Sequence, residues 1–193
     1  IVDLPRVQQI EVLSGPQSTL FGKNASAGVI SVRTMEPSYD MEGKVELGIG
    51  NYNQRVMKGY ITNGITDELA FSLYAAGGFN TRDGYTDSVV GLSNVNDKDR
   101  WNARAQALYE PSESVKVRFI ADYSEIEEAC CTVDDVINGP TTGAVQFLGG
   151  VVNTPDDAFG YKSALNIDPL STVEDGGLSL QVDVDYDGFS FTS

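Results

Sequence analysis

Histidine is absent from this 193-residue chain, which removes the commonest general base and the commonest transition-metal ligand. Cysteine occurs only as the adjacent pair Cys130 and Cys131, a spacing that fits neither a metal site nor a Cys-X-X-Cys redox centre. Cations are scarce: 13 Lys and Arg stand against 28 Asp and Glu, for a formal net charge of −15. Phosphate binding needs clustered cations, so no nucleic acid is expected as a partner. No run of ~18 apolar residues is present, which excludes a transmembrane helix. Barrel strands stay open, because they are short and only alternately apolar. These absences argue against an enzyme, and no catalytic residue, cofactor or resident metal is expected.

The chain opens at Ile1 without an initiator Met or signal peptide and closes inside the alternating run Phe189–Ser193. It is therefore expected to be part of a longer protein. Val7, Ile10 and Val12 suggest a short strand ending at the turn pair Gly15-Pro16. Val29–Thr34 reads as a second strand, halted before Pro37. Gly15, Gly22 and Lys23 imitate a phosphate-binding loop, but six residues separate the glycines and Asn24 follows the lysine. That motif needs four residues and then Ser or Thr, so nucleotide binding is not expected.

The string IEVLSGPQSTLFGKNASAGVISVRT, Ile10 to Thr34, closely resembles the C-terminal half of the plug domain in TonB-dependent outer-membrane receptors. Gly15, Pro16, Ser18, Leu20, Phe21, Gly22, Asn24 and Gly28 carry the resemblance. It implies that residues 1–40 end a plug domain and that 41–193 begin a transmembrane barrel. Ser14 departs from the pattern, since the family usually has Arg there to help seat the plug on the barrel wall. Phe21 for Tyr and Ala27 for Gly are milder departures.

From Glu42 onward the dominant period is two, which marks strands with one apolar face. Val45, Leu47 and Ile49 alternate with Lys44, Glu46 and Gly48. Leu69, Phe71, Leu73, Ala75, Gly77 and Phe79 form a second apolar set, and Trp101, Ala103, Ala105, Ala107 and Tyr109 a third. Val115, Val117, Phe119, Ala121 and Tyr123 form a fourth; Leu178, Leu180, Val182, Val184 and Tyr186 a fifth. Arg55–Asn63 is less clean, its phase muddled by Lys58 and Tyr60. Trp101–Glu110 also fits a helical stripe, but its neighbours on both sides alternate, so a strand is predicted. The odd positions of the well-phased strands are expected to face lipid. Arg104, Lys116, Arg118, Asp122, Gln181 and Asp183 are expected to face the lumen.

Tight connections at Asn63–Asp67, Glu110–Ser114 and Asp187-Gly188 alternate with long ones at 82–100 and 125–177. Outer-membrane barrels have short periplasmic turns and long extracellular loops. Phe79, Trp101 and Tyr123 fall near the outer rim, and Tyr109 and Tyr186 near the periplasmic rim, as in two aromatic girdles. The loop 125–177 is expected outside the cell, open to antibody at an epitope placed near Asn153.

Asp183–Gly188 imitates the start of an EF-hand calcium loop, but Leu178–Val182 before it reads as strand where that motif needs a helix. Asp183 and Asp185 are read as lumen-facing, and Asp187-Gly188 as a hairpin turn. Cys130 and Cys131 lie in the long loop among acidic residues. At an oxidising surface they are expected to be paired, either with each other or with a cysteine elsewhere. The acidic residues themselves read as a solvated surface rather than a Ca²⁺ site.

The expected fold class is thus an all-β membrane-protein fragment: antiparallel up-and-down β-barrel strands, about six in number, preceded by part of a small α+β plug. The resemblance implies a plugged barrel of about 22 strands that takes up a bulky, scarce ligand. A ferric siderophore is the commonest cargo of such receptors; cobalamin, haem and glycans are others. It further implies a bacterial outer-membrane location, lipid around the barrel, and a TonB-type energy-transducing partner engaged through a segment upstream of Ile1. A soluble β-sandwich binding or adhesion module and a passive porin are the alternatives, and the plug-like opening argues against both.

Overall fold

Every second side chain of a strand shares a face, and the computed structural model, which describes residues 7–66, 71–132, 137–153 and 159–193, shows what those faces meet. Ile1, Asp67, Leu69, Ala70 and the side chains of Phe71, Ser72, Tyr74 and Ala76 lie outside the described residues.

The first strands, β1 (Val7–Ser14) and β2 (Gly28–Thr34), pair antiparallel with Ile10 opposite Val32 and Val12 opposite Ile30. A single helical turn, α1 (Ser18–Phe21), lies between them. Its loop is closed by Gly15 N–H donating to Ala27 O at 3.1 Å and Gln17 N–H to Ala25 O at 2.8 Å. The glycine spacing has a steric origin. Gly15 and Gly22 take φ of +86° and +82°, where a Cβ is disfavoured. A Cβ on Gly28 would approach the Leu13 carbonyl oxygen to 2.7 Å.

The chain then builds a wall. Its strands are β3 (Glu42–Gly50), β4 (Gln54–Thr66) and β5 (Phe71–Arg82), and after the short β6 (Asp87–Ser88) come β7 (Lys98–Ser112) and β8 (Val115–Ala129). The helix α2 (Pro140–Phe147) and the short β9 (Lys162–Ser163) precede β10 (Leu170–Tyr186) and β11 (Phe189–Thr192). Seven of these strands form one antiparallel meander, ordered β11-β10-β8-β7-β5-β4-β3, while β6 and β9 pair separately in the loops. In this chain the sheet is open, with β3 and β11 at its edges.

Opposed residues of an antiparallel ladder share a face, so register assigns the two sides. Met57 stands opposite Phe79 and Phe79 opposite Trp101; Ala105 stands opposite Ala75 and Ala121, and Phe119 opposite Leu180. This apolar side is uncovered, with Ile49 94% and Leu178 77% exposed. Such an area would be core in a soluble protein. Trp101 and Tyr123 pack at 5.2 Å between ring centroids at one end, and Tyr186 and Phe189 at 5.1 Å at the other. Trp101 and Tyr109 stand eight positions apart on β7, about 27 Å of strand, comparable with the ~25 Å apolar band of a barrel.

Five expectations shift. In β10 the apolar face falls on even numbers, because Leu180 and Val182 oppose Phe119 and Val117; parity reflects the length of each connection, not the face. Ambiguous β4 resolves with Met57 and Ile61 outward and Lys58 and Tyr60 inward, since Met57 pairs with Leu47 and Phe79. The strands are longer than their alternation: β4 runs to Thr66, β7 to Ser112, and β8 and β10 stay paired from Glu125-Glu174 to Ala129-Leu170. The long connections shrink accordingly to 83–97 and 130–169. At the same end as these loops, the β3–β4 connection is only Asn51-Tyr52-Asn53, so not every outer loop is long. Finally, Asn153 is 5% exposed and its Nδ2 donates to Lys162 O at 3.1 Å. An epitope is better placed beside α2, where Phe147 is 90% exposed.

Cysteines at 116 and 181 are expected to react with a membrane-impermeant thiol reagent in the intact protein, while those at 117 and 119 resist it. Arg118, 11% exposed at its side chain, lies too deep for its cysteine to serve as the inner-face marker. Reaction at 117 and 119 but not at 116 and 181 would assign the faces the other way round.

Candidate functional site: the inner wall and its strap

After β2 the chain turns along the polar face of the sheet, and each residue that touches it finds a partner. Thr34 Oγ1 accepts from Arg104 Nη1 at 3.2 Å, and Met35 O accepts from Gln106 Nε2 at 3.3 Å. Glu36 forms ion pairs with Lys116 and, at 3.5 Å, with Arg118. Pro37 is buried. Ser38 N–H donates to Thr62 Oγ1 at 2.8 Å, and the Thr62 hydroxyl donates to Leu73 O at 2.9 Å. Tyr39 O accepts from Gly64 N–H at 2.9 Å, and its phenol donates to Glu110 at 2.6 Å. Desolvation at the wall and then the bond to Glu110 raise the phenol well above its ordinary range, so it stays the donor.

The wall residues support one another. Gln106 is 2% exposed, and its Oε1 accepts from Arg118 Nη2 at 2.6 Å and Nε at 3.1 Å. Arg104 pairs with Asp122 at 3.2 Å. An uncharged amide thus orients one guanidinium while a carboxylate neutralises its neighbour, which is how buried charge is made tolerable. Arg104, Lys116, Arg118 and Asp122 all lie on the inner face, as their phase predicts. Gln181 and Asp183 share that face and bond to each other at 2.8 Å. Among the described residues no cluster of three or more acidic or thiol groups is placed to hold a metal ion.

The plug-like residues run from Gly15 through the loop after β1 to Gly28, the first residue of β2. Ser18, Leu20 and Phe21 form α1, with Leu20 82% exposed; Pro16, Asn24 and Ser14 are exposed too. The strap Thr34–Tyr39 escaped the sequence pattern entirely. Its one signal is an acid, Glu36, whose partners Lys116 and Arg118 sit two positions apart on β8.

At the outer end, two loops are knitted together. β6 and β9 pair in parallel, Asp87 N–H donates to Tyr161 O and Val89 N–H to Ser163 O, both at 2.8 Å. Tyr85 meets Tyr161 edge to face at 5.8 Å and Tyr52 at 5.9 Å, with the Arg82 guanidinium 4.9 Å from its ring centroid. Arg82 also donates to Asn96 O at 2.6 Å. Cys130 and Cys131 are joined as a disulfide beside this junction, where Cys131 N–H donates to Asn96 Oδ1 at 3.2 Å.

No family model matches the chain. It is 38% identical over 55 residues to the ferrioxamine B receptor of Salmonella typhimurium, covering 28% of this chain and 8% of that receptor. It is 35% identical over 68 residues to the pesticin receptor of Yersinia pestis, covering 35% of this chain and 10% of that receptor. The solved structure of the ferric yersiniabactin uptake receptor FyuA from Yersinia pestis matches 98% of this chain and 28% of its own, with a TM-score of 0.73 and 21% identity. The matched stretches thus span no more than a tenth of these curated relatives, and the chain about a quarter of the solved receptor. In class it is built as a plug end running into the opening wall of an outer-membrane β-barrel. The receptors it matches are of the TonB-dependent kind, and the resemblance of Ile10–Thr34 to their plugs agrees with the fold.

Proposed function

We propose that the protein is a TonB-dependent outer-membrane receptor that takes up a ferric siderophore through a plugged barrel. The observation that carries this reading is the division of one sheet between two environments. One face is apolar, exposed and bounded by aromatic residues; the other is polar and bolted to a strap that leads out of the plug. A β-sandwich would bury the apolar face against a second sheet. A passive porin would have no need of the strap across its lumen. The iron cargo is supported by the relatives, whose names specify ferrioxamine B and ferric yersiniabactin. Energy comes from an inner-membrane partner of the TonB type, and the chain itself carries transport rather than catalysis.

Deleting the gene is expected to abolish uptake of a labelled ferric siderophore, among a panel that also holds cobalamin, haem and oligosaccharides. Collapsing the proton gradient should stop net uptake while leaving ligand binding intact. Loss of only cobalamin, haem or a glycan would move the cargo and keep the class. Uptake unchanged without the gradient would remove the class in favour of a passive pore.

A further inference from the structure

The inner wall gathers cations that need a counter-charge. Arg118 and Arg104 are only 11% and 19% exposed at their side chains, and Lys116 is 33% exposed. Like charges this close to one another and this poorly hydrated oppose the folded arrangement unless paired. Asp122 takes Arg104. Gln106 orients Arg118 but brings no charge. Asp183 stands opposite Lys116 in the ladder, yet its two oxygens are engaged by Gln181 and Thr192. Among the described residues, the carboxylate that pairs with Lys116 and Arg118 is Glu36, which comes from the plug side of the chain.

We propose that Glu36 is the positioning residue that seats the plug, through an ion pair with its acid on the plug side and its cations on the wall. Ser14, where the resemblance led one to expect a plug-side cation, is exposed on β1 and brings no charge. The seating charge has moved to the strap and changed sign. This inference rests on the transporter reading for its biological meaning, but its test needs neither ligand nor energy.

In the full-length receptor, Glu36→Lys places a third cation against Lys116 and Arg118. It is expected to lower the ratio of seated to unseated plug by roughly 5- to 30-fold. The readouts are ion conductance of the purified receptor in a planar bilayer and sensitivity of cells to a large hydrophilic antibiotic. Glu36→Gln, of equal size, should leak less than Glu36→Lys but more than the parent. Adding Lys116→Glu and Arg118→Gln to Glu36→Lys restores one pair of reversed polarity and should close the barrel again. Heat-dependent gel mobility reports barrel assembly in each variant; if Glu36→Lys does not assemble, Glu36→Gln decides. Parental conductance in an assembled Glu36→Lys, or in Glu36→Gln when only that assembles, overturns the proposal. So does a triple variant that leaks as much as Glu36→Lys. A tight wild-type barrel whose uptake ignores the proton gradient would instead count against the transporter reading alone.

Discussion

Ala105→Arg is expected to block assembly of the barrel, whereas Ser179→Arg should assemble almost normally. Ala105 lies midway between Trp101 and Tyr109 on the apolar face, opposite Ala75 and Ala121. It is exposed, so the longer side chain meets no steric obstacle in the wall. Any penalty is therefore that of holding a guanidinium at mid-depth in hydrocarbon, about 2–4 kcal/mol, or roughly 30- to 700-fold in an equilibrium. Ser179 stands opposite Ile120, next along the ladder from Leu178 and Ala121 but on the inner face. The two sites share depth and differ only in side. Folded fraction after insertion into lipid vesicles, scored by heat-dependent gel mobility, provides the comparison. Equal assembly of both variants would mean that the apolar face does not meet lipid.

Arg100→Ala is expected to loosen the outer end of the wall. Arg100 donates through Nε to Glu128 Oε1 and through Nη2 to Oε2 at 2.9 Å. The Glu128 side chain is 8% exposed and that of Arg100 27%. Removing the arginine strands a carboxylate that water hardly reaches. For a fully buried pair that costs ~3–5 kcal/mol, and the partial exposure of Arg100 reduces it here to about 2–3. Opening of the β7–β8 ends and the loops they support should rise by roughly 30-fold or more. Protease cleavage of the outer loops on intact cells tracks that opening when reclosing is fast. Adding Glu128→Gln removes the stranded charge and should recover most of the loss, since the two changes couple through one contact. A double variant as labile as Arg100→Ala would attribute the effect to lost packing instead.

The alternation in β5, β7 and β8 was legible because two different surroundings act on the two faces of one strand. It fades where that contrast ends. Glu125–Ala129 and Leu170–Gly177 mix polar and apolar residues on both faces, so their ladder carries no period and reads as loop, although every residue is paired. In β4 the phase was hidden by Tyr60 and Lys58, which the inner face accommodates. The plug glycines were legible for a steric reason, a positive φ at Gly15 and Gly22 and close backbone at Gly28. The strap was not. Its bonds to Arg104, Lys116 and Arg118 cross sequence separations of 70, 80 and 82 residues, and Met35–Tyr39 has no periodicity of its own. Only strand register brings those cations together, and register is settled by the folded sheet.

The pairing of β6 with β9 bears on how the proposed receptor can be altered. Ser93 N–H donates to Asp168 Oδ1 at 3.3 Å and Ala129 N–H to Asp97 Oδ1 at 2.6 Å, while Val95 and Ser163 are 3% and 2% exposed. Each loop thus completes the other's interior. A graft that exchanges one of them against a foreign sequence leaves the remaining half without its complement. Transplants meant to change ligand choice should therefore move 83–97 and 130–169 as a single cassette, and natural variation in the two is expected to be inherited jointly.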